Sequence, residues 1–475
     1  MKVTMRRLGM KTGPAALDNF GASGDLLIAE VYGKTYCYLI DGGMETKDDE
    51  KVTWRGPMEL DAILGYTIND VLLTHAHRDH AGALAMKTVL NRLSPDARVI
   101  LTKTSAAFLP HVLLDQVKIS SKREEKLPYG QYQVFDLMKR VKKGIVSEPR
   151  VLCLVPDAIS VLVWPSAHIR GACSFIFLIQ EGEKKVKIMF SGDYSTHNQL
   201  STLAAPLPPD DWYPDIIANF DCTNGAEDLA QGKSEVTFWQ REMERMADDG
   251  HRIIKGGGKA FYYAFSMDRS QTFSRKLADL GLPVWLDGPS AQKLSHTMGS
   301  PEGMWCSSDQ KLDMGPVCMT EYTYQPLDDP EPCGIVAPSG MGHGPAVEYF
   351  ARLLPREDAL VGSSGYQAHG TNGYRLKGKT RGDTVSLDVD EKDSVKVTIA
   401  AEIKQYRATA HSLRGMAAER MEELLSRSQF LHANTPILGM THGSSRAFDW
   451  FERRLAGIKT FRADRPEDRE IVLVD

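Results

Sequence analysis

The segment THAHRDHAGAL, residues 74–84, places His75, His77, Asp79 and His80 within one short stretch. In an extended turn, imidazoles at i and i+2 point the same way, while Asp79 and His80 open the following helix and face a second position. One segment can thereby supply ligands to two cations. Imidazole nitrogen with carboxylate oxygen suits zinc, with manganese or iron as alternatives. A solvated polar turn is the competing reading, but so many ligand types directly after the apolar run Val71–Leu73 argue against it.

Elements that would position such a turn are visible upstream and downstream. The strand-length apolar runs Tyr36–Ile40, Val71–Leu73, Val161–Trp164 and Val186–Phe190 end at or lead into Asp41, His75, His168 and Asp193. The residues that could do chemistry thus sit at strand ends. A Pro-rich break, APLPPDDWYP at 205–214, closes this region. Beyond it, Ile216–Phe220, Arg252–Lys255, Val284–Leu286, Gly334–Ala337 and Ala359–Gly362 read as short strands, with helical stretches at Glu235–Met246 and Ala346–Leu354. That alternation predicts a parallel-sheet α/β unit. From about Gly378 the chain reads as strand again (Val385–Val389, Val395–Ala401), then as helix around Leu413–Leu425 and Phe448–Leu455.

At 475 residues the chain exceeds one ordinary core, and its 42% hydrophobic and 25% charged residues are those of a globular protein. A net charge of -5 excludes a wholesale polybasic binder, so any polyanion must be met by a local basic face. Seven scattered cysteines without a Cys-x-x-Cys pair read as reduced thiols rather than a disulfide frame or a thiolate zinc site. The basic N-terminus is not followed by the apolar segment of a signal peptide, and no run reaches the ~18 apolar residues of a membrane span. The expected location is cytoplasmic, with no membrane partner.

The His-x-His-x-Asp-His turn resembles the signature of the metallo-beta-lactamase superfamily, and the rest of the chain is similar to its beta-CASP nucleases. Asp41 in LIDGG, His168 in SAHIRGA and Asp193 in FSGDYS match that pattern. DCTNG at 221–225 is similar to motif A, most like its RNase J form; His411 in ATAHSLRG is similar to motif B and His442 in THGSSRA to motif C. AFSMDRSQ (264–271), VWLDGPSA (284–291), APSGM (337–341) and GYQAHGTNG (365–373) fall in the family's order. A histidine at motif C is the pattern of the RNA-processing branch. Taken singly, His168 and His442 read as structural histidines and Asp193 as a turn residue; the order of all the elements is what favours the site.

The resemblance implies an αββα sandwich of the metallo-beta-lactamase fold, residues 1–206 and 379–475, with an inserted beta-CASP α/β domain at 207–378. It implies that His75, His77 and His168 hold one metal, that Asp79, His80 and His442 hold another, that Asp193 bridges, and that Asp41 orients the histidine turn. Two Zn(2+), with Mn or Fe as alternatives, would lower the pKa of a bridging water to about 7 and polarise a scissile phosphate. His411, positioned by Asp221, would protonate the leaving oxygen; Asp79 and Asp193 complete the catalytic set. Turn or N-cap roles are the competing readings of Asp221 and His411.

Ser339, Gly340, Ser364, Gly365, Tyr366, Gln367, Gly370 and Thr371, from glycine-rich segments, offer N–H groups and hydroxyls suited to phosphate, although tight turns explain such segments equally. The basic runs KRVKK (139–143) and RLKGKTR (375–381) could track a nucleic-acid backbone or be solvated faces. One departure stands out: nuclease relatives usually carry Glu after the His-Gly of motif C, where this chain has Ser444. The expected activity is cleavage of single-stranded RNA, internally or from the 5' end, with a homodimer as an allowed state. A DNA nuclease of the same architecture, a small-molecule metallo-hydrolase and an inactive scaffold are the competing classes.

Overall fold

In a computed structural model the described residues are 1–9, 22–44, 60–122, 126–300, 305–365, 367, 369–389, 393–427 and 437–475. Two seven-stranded sheets face each other. The first runs, edge to edge, Glu470–Val474, Lys2–Arg7, Asp25–Val31, Lys34–Ile40, Asp70–Leu72, Val99–Thr102 and Ile145–Val146. The second runs Lys459–Arg462, Ile437–Thr441, Ile216–Asp221, Lys184–Phe190, Cys173–Glu181, Ile159–Pro165 and Arg150–Val155.

Because side chains alternate along a strand, each sheet buries both faces. Leu27, Ala29, Tyr38, Ile40 and Leu72 turn inward against Val161, Val163, Phe175, Phe177 and Phe190 of the opposite sheet. Their neighbours Leu26, Ile28, Leu39 and Val71 turn outward, against Phe108, Leu109 and Leu113 of helix Lys103–Lys122 and Val134, Leu137 and Val141 of helix Gln131–Val141. Ile176, Met189, Ile217 and Leu438 do the same on the other side, under helices Arg414–Leu425 and Ser445–Arg454. The result is the αββα sandwich of the metallo-beta-lactamase fold.

A third sheet is entirely parallel, in the order Cys318–Met319, Val284–Leu286, Cys333–Ala337, Lys259–Tyr263, Ala359–Ser363 and Glu402–Gln405. Met243, Met246, Phe273 and Leu277 cover one face, and Tyr349, Phe350 and Leu353 cover the other. This is the inserted α/β domain.

Strand pairing divides the chain elsewhere than at 206 and 378. Ile216–Asp221, assigned by its position after the Pro-rich break to the insert, pairs in parallel with Lys184–Phe190 and Ile437–Thr441 and so belongs to the sandwich. Glu402–Gln405, assigned to the sandwich, pairs with Ala359–Ser363. The hairpin Thr384–Asp388 and Ser394–Thr398 likewise packs Val385, Leu387 and Val397 into the insert's core. The insert therefore leaves the sandwich after Asp221 and returns to it beyond Gln405. Arg252–Lys255, expected as a strand, is the last turn of helix Phe238–Lys255; Ile253 and Ile254 are buried there, and Gly256–Gly258 follow. Among the described residues, no helix is long and apolar enough to cross a membrane.

Candidate metal centre

The short strand Asp70–Leu72 delivers His75 and His77 in extended backbone, and Arg78–Ala81 then turns into a helix that presents Asp79 and His80. Asp41 follows the neighbouring strand at φ 59°. Its buried carboxylate accepts from the Thr74 N–H at 2.8 Å and from the Thr74 hydroxyl at 2.9 Å, and its Oδ2 lies 2.8 Å from His80 Nδ1. Asp41 thus sets the base of the histidine turn and the orientation of one ring, leaving Nε2 of His80 to face the cleft.

Two donor groups result. His75 Nε2 and His168 Nε2 stand 3.0 and 3.2 Å from His77 Nδ1, and Asp193 Oδ2 stands 3.7 Å from His75 Nε2 and 3.4 Å from His168 Nε2. Across Asp193, its Oδ1 lies 3.1 Å from His80 Nε2 and 3.6 Å from His442 Nε2, and His442 Nε2 lies 3.1 Å from Asp79 Oδ2. One donor atom from each of His75, His77, His168 and Asp193 falls within 4.8 Å of the others, and the same holds for Asp79, His80 and His442. Every metal-ligand residue expected from the sequence is brought to this one place.

The arrangement fits a cation. Donors about 2.0–2.1 Å from a tetrahedral ion stand roughly 3.3 Å apart, near the spacing found here. Asp193 Oδ1 is a buried carboxylate oxygen whose near neighbours are His80 Nε2 at 3.1 Å and His442 Nε2 at 3.6 Å, a setting that requires positive charge beside it. Burial is the largest influence on His75, His77 and His168, and it holds all three imidazoles below their ordinary range, neutral and ready to donate a lone pair. Burial opposes charge on His80 and His442 too, but Asp193 with its neighbouring carboxylates overcomes it and lifts His442 to about 9. Asp79 and Asp193 stay ionised against burial because His80 and His442 offset them.

Beside this centre, His411 Nδ1 lies 2.6 Å from Asp221 Oδ2, and His411 Nε2 lies 4.0 Å from Asp193 Oδ2. Asp221 also accepts from the Tyr194 N–H at 3.0 Å and the Thr223 N–H at 2.9 Å, so its carboxylate is held by backbone on two sides. Sequence reasoning missed Thr223. Its Oγ1 lies 2.5 Å from Asp221 Oδ1, 3.1 Å from His411 Nδ1 and 2.8 Å from His442 Nδ1. Ser444, where a Glu was expected, caps the following helix: its hydroxyl accepts from the Ala447 N–H at 3.3 Å.

The glycine-rich segments gather at the C-terminal ends of the insert's parallel strands, where open α/β sheets place their ligand clefts. Gln367 Nε2 donates to the Gly340 carbonyl at 2.7 Å and lies 3.3 Å from that of Gly365, drawing Ser339, Gly340, Ser364 and Gly365 together. The buried Ser364 hydroxyl and the Gln367 amide oxygen have no partner among the described residues. Thr371 instead caps the helix Asn372–Leu376, next to Gly370 with φ 83°. Tyr366 lies outside the described residues. Of the second basic run, half-buried Arg375 is paired within the insert, with both terminal nitrogens 2.6 Å from Asp388 carboxylate oxygens.

The metallo-beta-lactamase superfamily model matches residues 26–86, the stretch that ends with the histidine turn. The transcription termination factor FttA of Methanocaldococcus jannaschii is 26% identical over 354 residues, 68% of this chain and 53% of that protein. "Probable RNase MJ4" of the same organism is 24% identical over 387 residues, 79% of this chain and 82% of its own length. This chain therefore spans about half the length of the termination factor and most of the RNase. A structure of a protein of unknown function from Enterococcus faecalis V583 superposes over the whole of both chains at a TM-score of 0.51 with 14% identity, which speaks to the fold alone. With a sandwich that carries the histidine turn and a parallel α/β insert beside it, the chain has the metallo-beta-lactamase fold and is similar over most of its length to proteins of the beta-CASP family.

Proposed function

We propose that the protein is a metal-dependent phosphodiesterase that cleaves single-stranded RNA. The observation that carries this reading is the Asp193 carboxylate, set between two nitrogen-rich donor groups with the His411–Asp221 pair beside it. His75, His77 and His168 would hold one Zn(2+), Asp79, His80 and His442 a second, with Asp193 between them. Such cations supply Lewis acidity toward a phosphate oxygen and acidify water that they coordinate.

The chain's own residues supply the rest. With its Nδ1 proton donated to Asp221, His411 turns Nε2 toward the centre. In the imidazolium form, that nitrogen would pass its proton to the leaving 3'-oxygen, while Asp221 stabilises the cation until it does. Asp41 and Thr74 keep the histidine turn in place, so little reorganisation accompanies the reaction. The Gln367-bound cradle at Ser339, Gly340, Ser364 and Gly365 would meet a substrate phosphate, and exposed Lys377 would add charge. A single strand enters a cleft between two domains more easily than a duplex, which must first unpair.

The name of the relative called an RNase points the same way. Zinc-loaded protein incubated with matched end-labelled RNA and DNA strands tests the reading. RNA cut faster than DNA and duplex RNA cut slowly are the expected results; DNA cut faster, or ester turnover with neither strand cut, would replace it.

A further inference from the structure

The insert meets the sandwich at one of the metal-facing loops. His168 sits in the loop between Pro165 and Cys173, and its neighbour Ala167 has φ 60°, a left-handed backbone that alanine does not hold unaided. The Gln199 side chain holds it: Nε2 lies 3.1 Å from the carbonyls of both Ala167 and His168 and donates to them. The amide oxygen of Gln199 accepts from Arg269 Nη2. Arg269 opens helix Arg269–Ala278 of the insert. Turned over, the amide would set its oxygen against two carbonyls and its NH2 against a guanidinium, so the partners decide its orientation.

Both side chains are buried, and Arg269 Nη1 has no partner among the described residues. A guanidinium kept in so dry a place with one nitrogen unsatisfied is costly, and a hydrophobic side chain would fill the space at less cost. The same boundary is crossed again nearby. Ser201 Oγ donates to Asp268 Oδ2 at 2.7 Å, and the Gly171 N–H donates to Asp309 Oδ1 at 3.0 Å.

We propose that Arg269 and Gln199 are positioning residues of the metal centre: the insert, through Arg269, orients the Gln199 amide, which pins the Ala167–His168 backbone and so places His168 Nε2 beside His77 and Asp193. The insert would then be part of the centre as well as a wall of the cleft. The inference rests on His168 as a cation ligand and is independent of whether RNA is the substrate.

Zinc affinity of the full chain, measured by competition with a chromogenic chelator, tests it without any substrate. Wild type is expected to bind two equivalents. Gln199→Leu and Arg269→Met should each weaken one equivalent about 10- to 100-fold, the usual effect of removing a group that orients a ligand, and leave the other unchanged. The double variant should lose no more than the weaker single. Gln199→Glu guards against misfolding, because it keeps an acceptor for Arg269 while removing the donor to the two carbonyls; it should fold by circular dichroism and still weaken that equivalent. Wild-type affinity in folded Gln199→Glu, equal loss of both equivalents, or singles whose effects multiply would each overturn the proposal. Wild type that binds no zinc would overturn this inference and the metal reading together, whereas intact zinc behaviour without RNA cleavage would remove only the RNA reading.

Discussion

Thr223 Oγ1 lies 2.8 Å from His442 Nδ1 and 2.5 Å from Asp221 Oδ1. A hydroxyl has one proton to give. Given to the Asp221 carboxylate, it leaves Oγ1 free to accept the Nδ1 proton of His442. That fixes the orientation of the His442 ring and leaves Nε2 as the nitrogen that meets Asp79 and Asp193. Thr223→Val, nearly isosteric, is expected to weaken the cation site of Asp79, His80 and His442 about 10- to 100-fold, and Thr223→Ser to restore it. Chelator competition reads both; unchanged affinity in the Val variant would reduce Thr223 to a packing residue.

In the proposed mechanism Asp221 and His411 serve the leaving group, so their loss should separate chemistry from metal binding. Asp221→Asn and His411→Ala are each expected to keep both zinc equivalents and to lose on the order of 10²- to 10⁴-fold in turnover, the usual worth of a general acid. Metal analysis beside single-turnover rates decides the matter. Zinc lost in proportion to activity would make His411 a ligand, a role its place within 4.8 Å of Asp193 and His442 donor atoms allows.

His197 supplies a pH dependence separate from catalysis. Burial is the largest influence on it and lowers it to about 4, against the bond between its Nε2 and the Thr409 carbonyl at 3.0 Å. The unfolded chain protonates this imidazole near 6.5 while the folded chain resists until about 4. Its contribution is therefore complete above 6.5 and is lost as pH falls from there toward 4, by up to about 3 kcal/mol. Melting temperatures of wild type and His197→Asn, compared from pH 7 to pH 5, should converge on acidification. A gap that stays constant would show that His197 does not titrate in this way.

Ser444 stands where the resemblance implies a carboxylate, and in this chain it has a structural task. Ser444→Ala is expected to cost about 1 kcal/mol in stability through loss of the helix cap, with cleavage per folded molecule little changed. Ser444→Asp should restore the cap. A large fall in turnover with unchanged melting would return this position to the catalytic machinery.

The parts of the site that were legible in the sequence are those whose meaning is local. His75, His77, Asp79 and His80 share one turn, so residue type and position told together, whereas Asp41 and Asp193, each a single Asp after an apolar strand, took their roles from the resemblance. His168, His411 and His442 needed the resemblance, since a lone histidine carries no spacing. Thr223, Gln199 and Arg269 escaped because two are uncharged, and the partners that give each a role come from distant segments. The ion pair of Arg375 was hidden for the same reason: Asp388, which engages both its terminal nitrogens, lies across the turn into a hairpin. The domain limits slipped where composition changes inside one fold unit. The Pro-rich stretch looks like a boundary, yet the next strand, Ile216–Asp221, is central to the second sheet, and pairing between distant strands leaves no compositional mark. Arg252–Lys255 read as a strand because two adjacent isoleucines suit either element, and only the helix before them settles which.

The central claim is that Asp193 unites two cation sites whose chemistry cleaves an RNA phosphodiester without help from the 2'-hydroxyl. It is tested most directly by the ends of the products from a single-stranded RNA bearing one 2'-deoxy residue at the cut site. The account predicts a 5'-phosphate and a 3'-hydroxyl from both the natural and the deoxy strand, with the deoxy strand slower but still cut, and no cleavage by Asp193→Ala. A 2',3'-cyclic phosphate, or complete resistance of the deoxy strand, would contradict it.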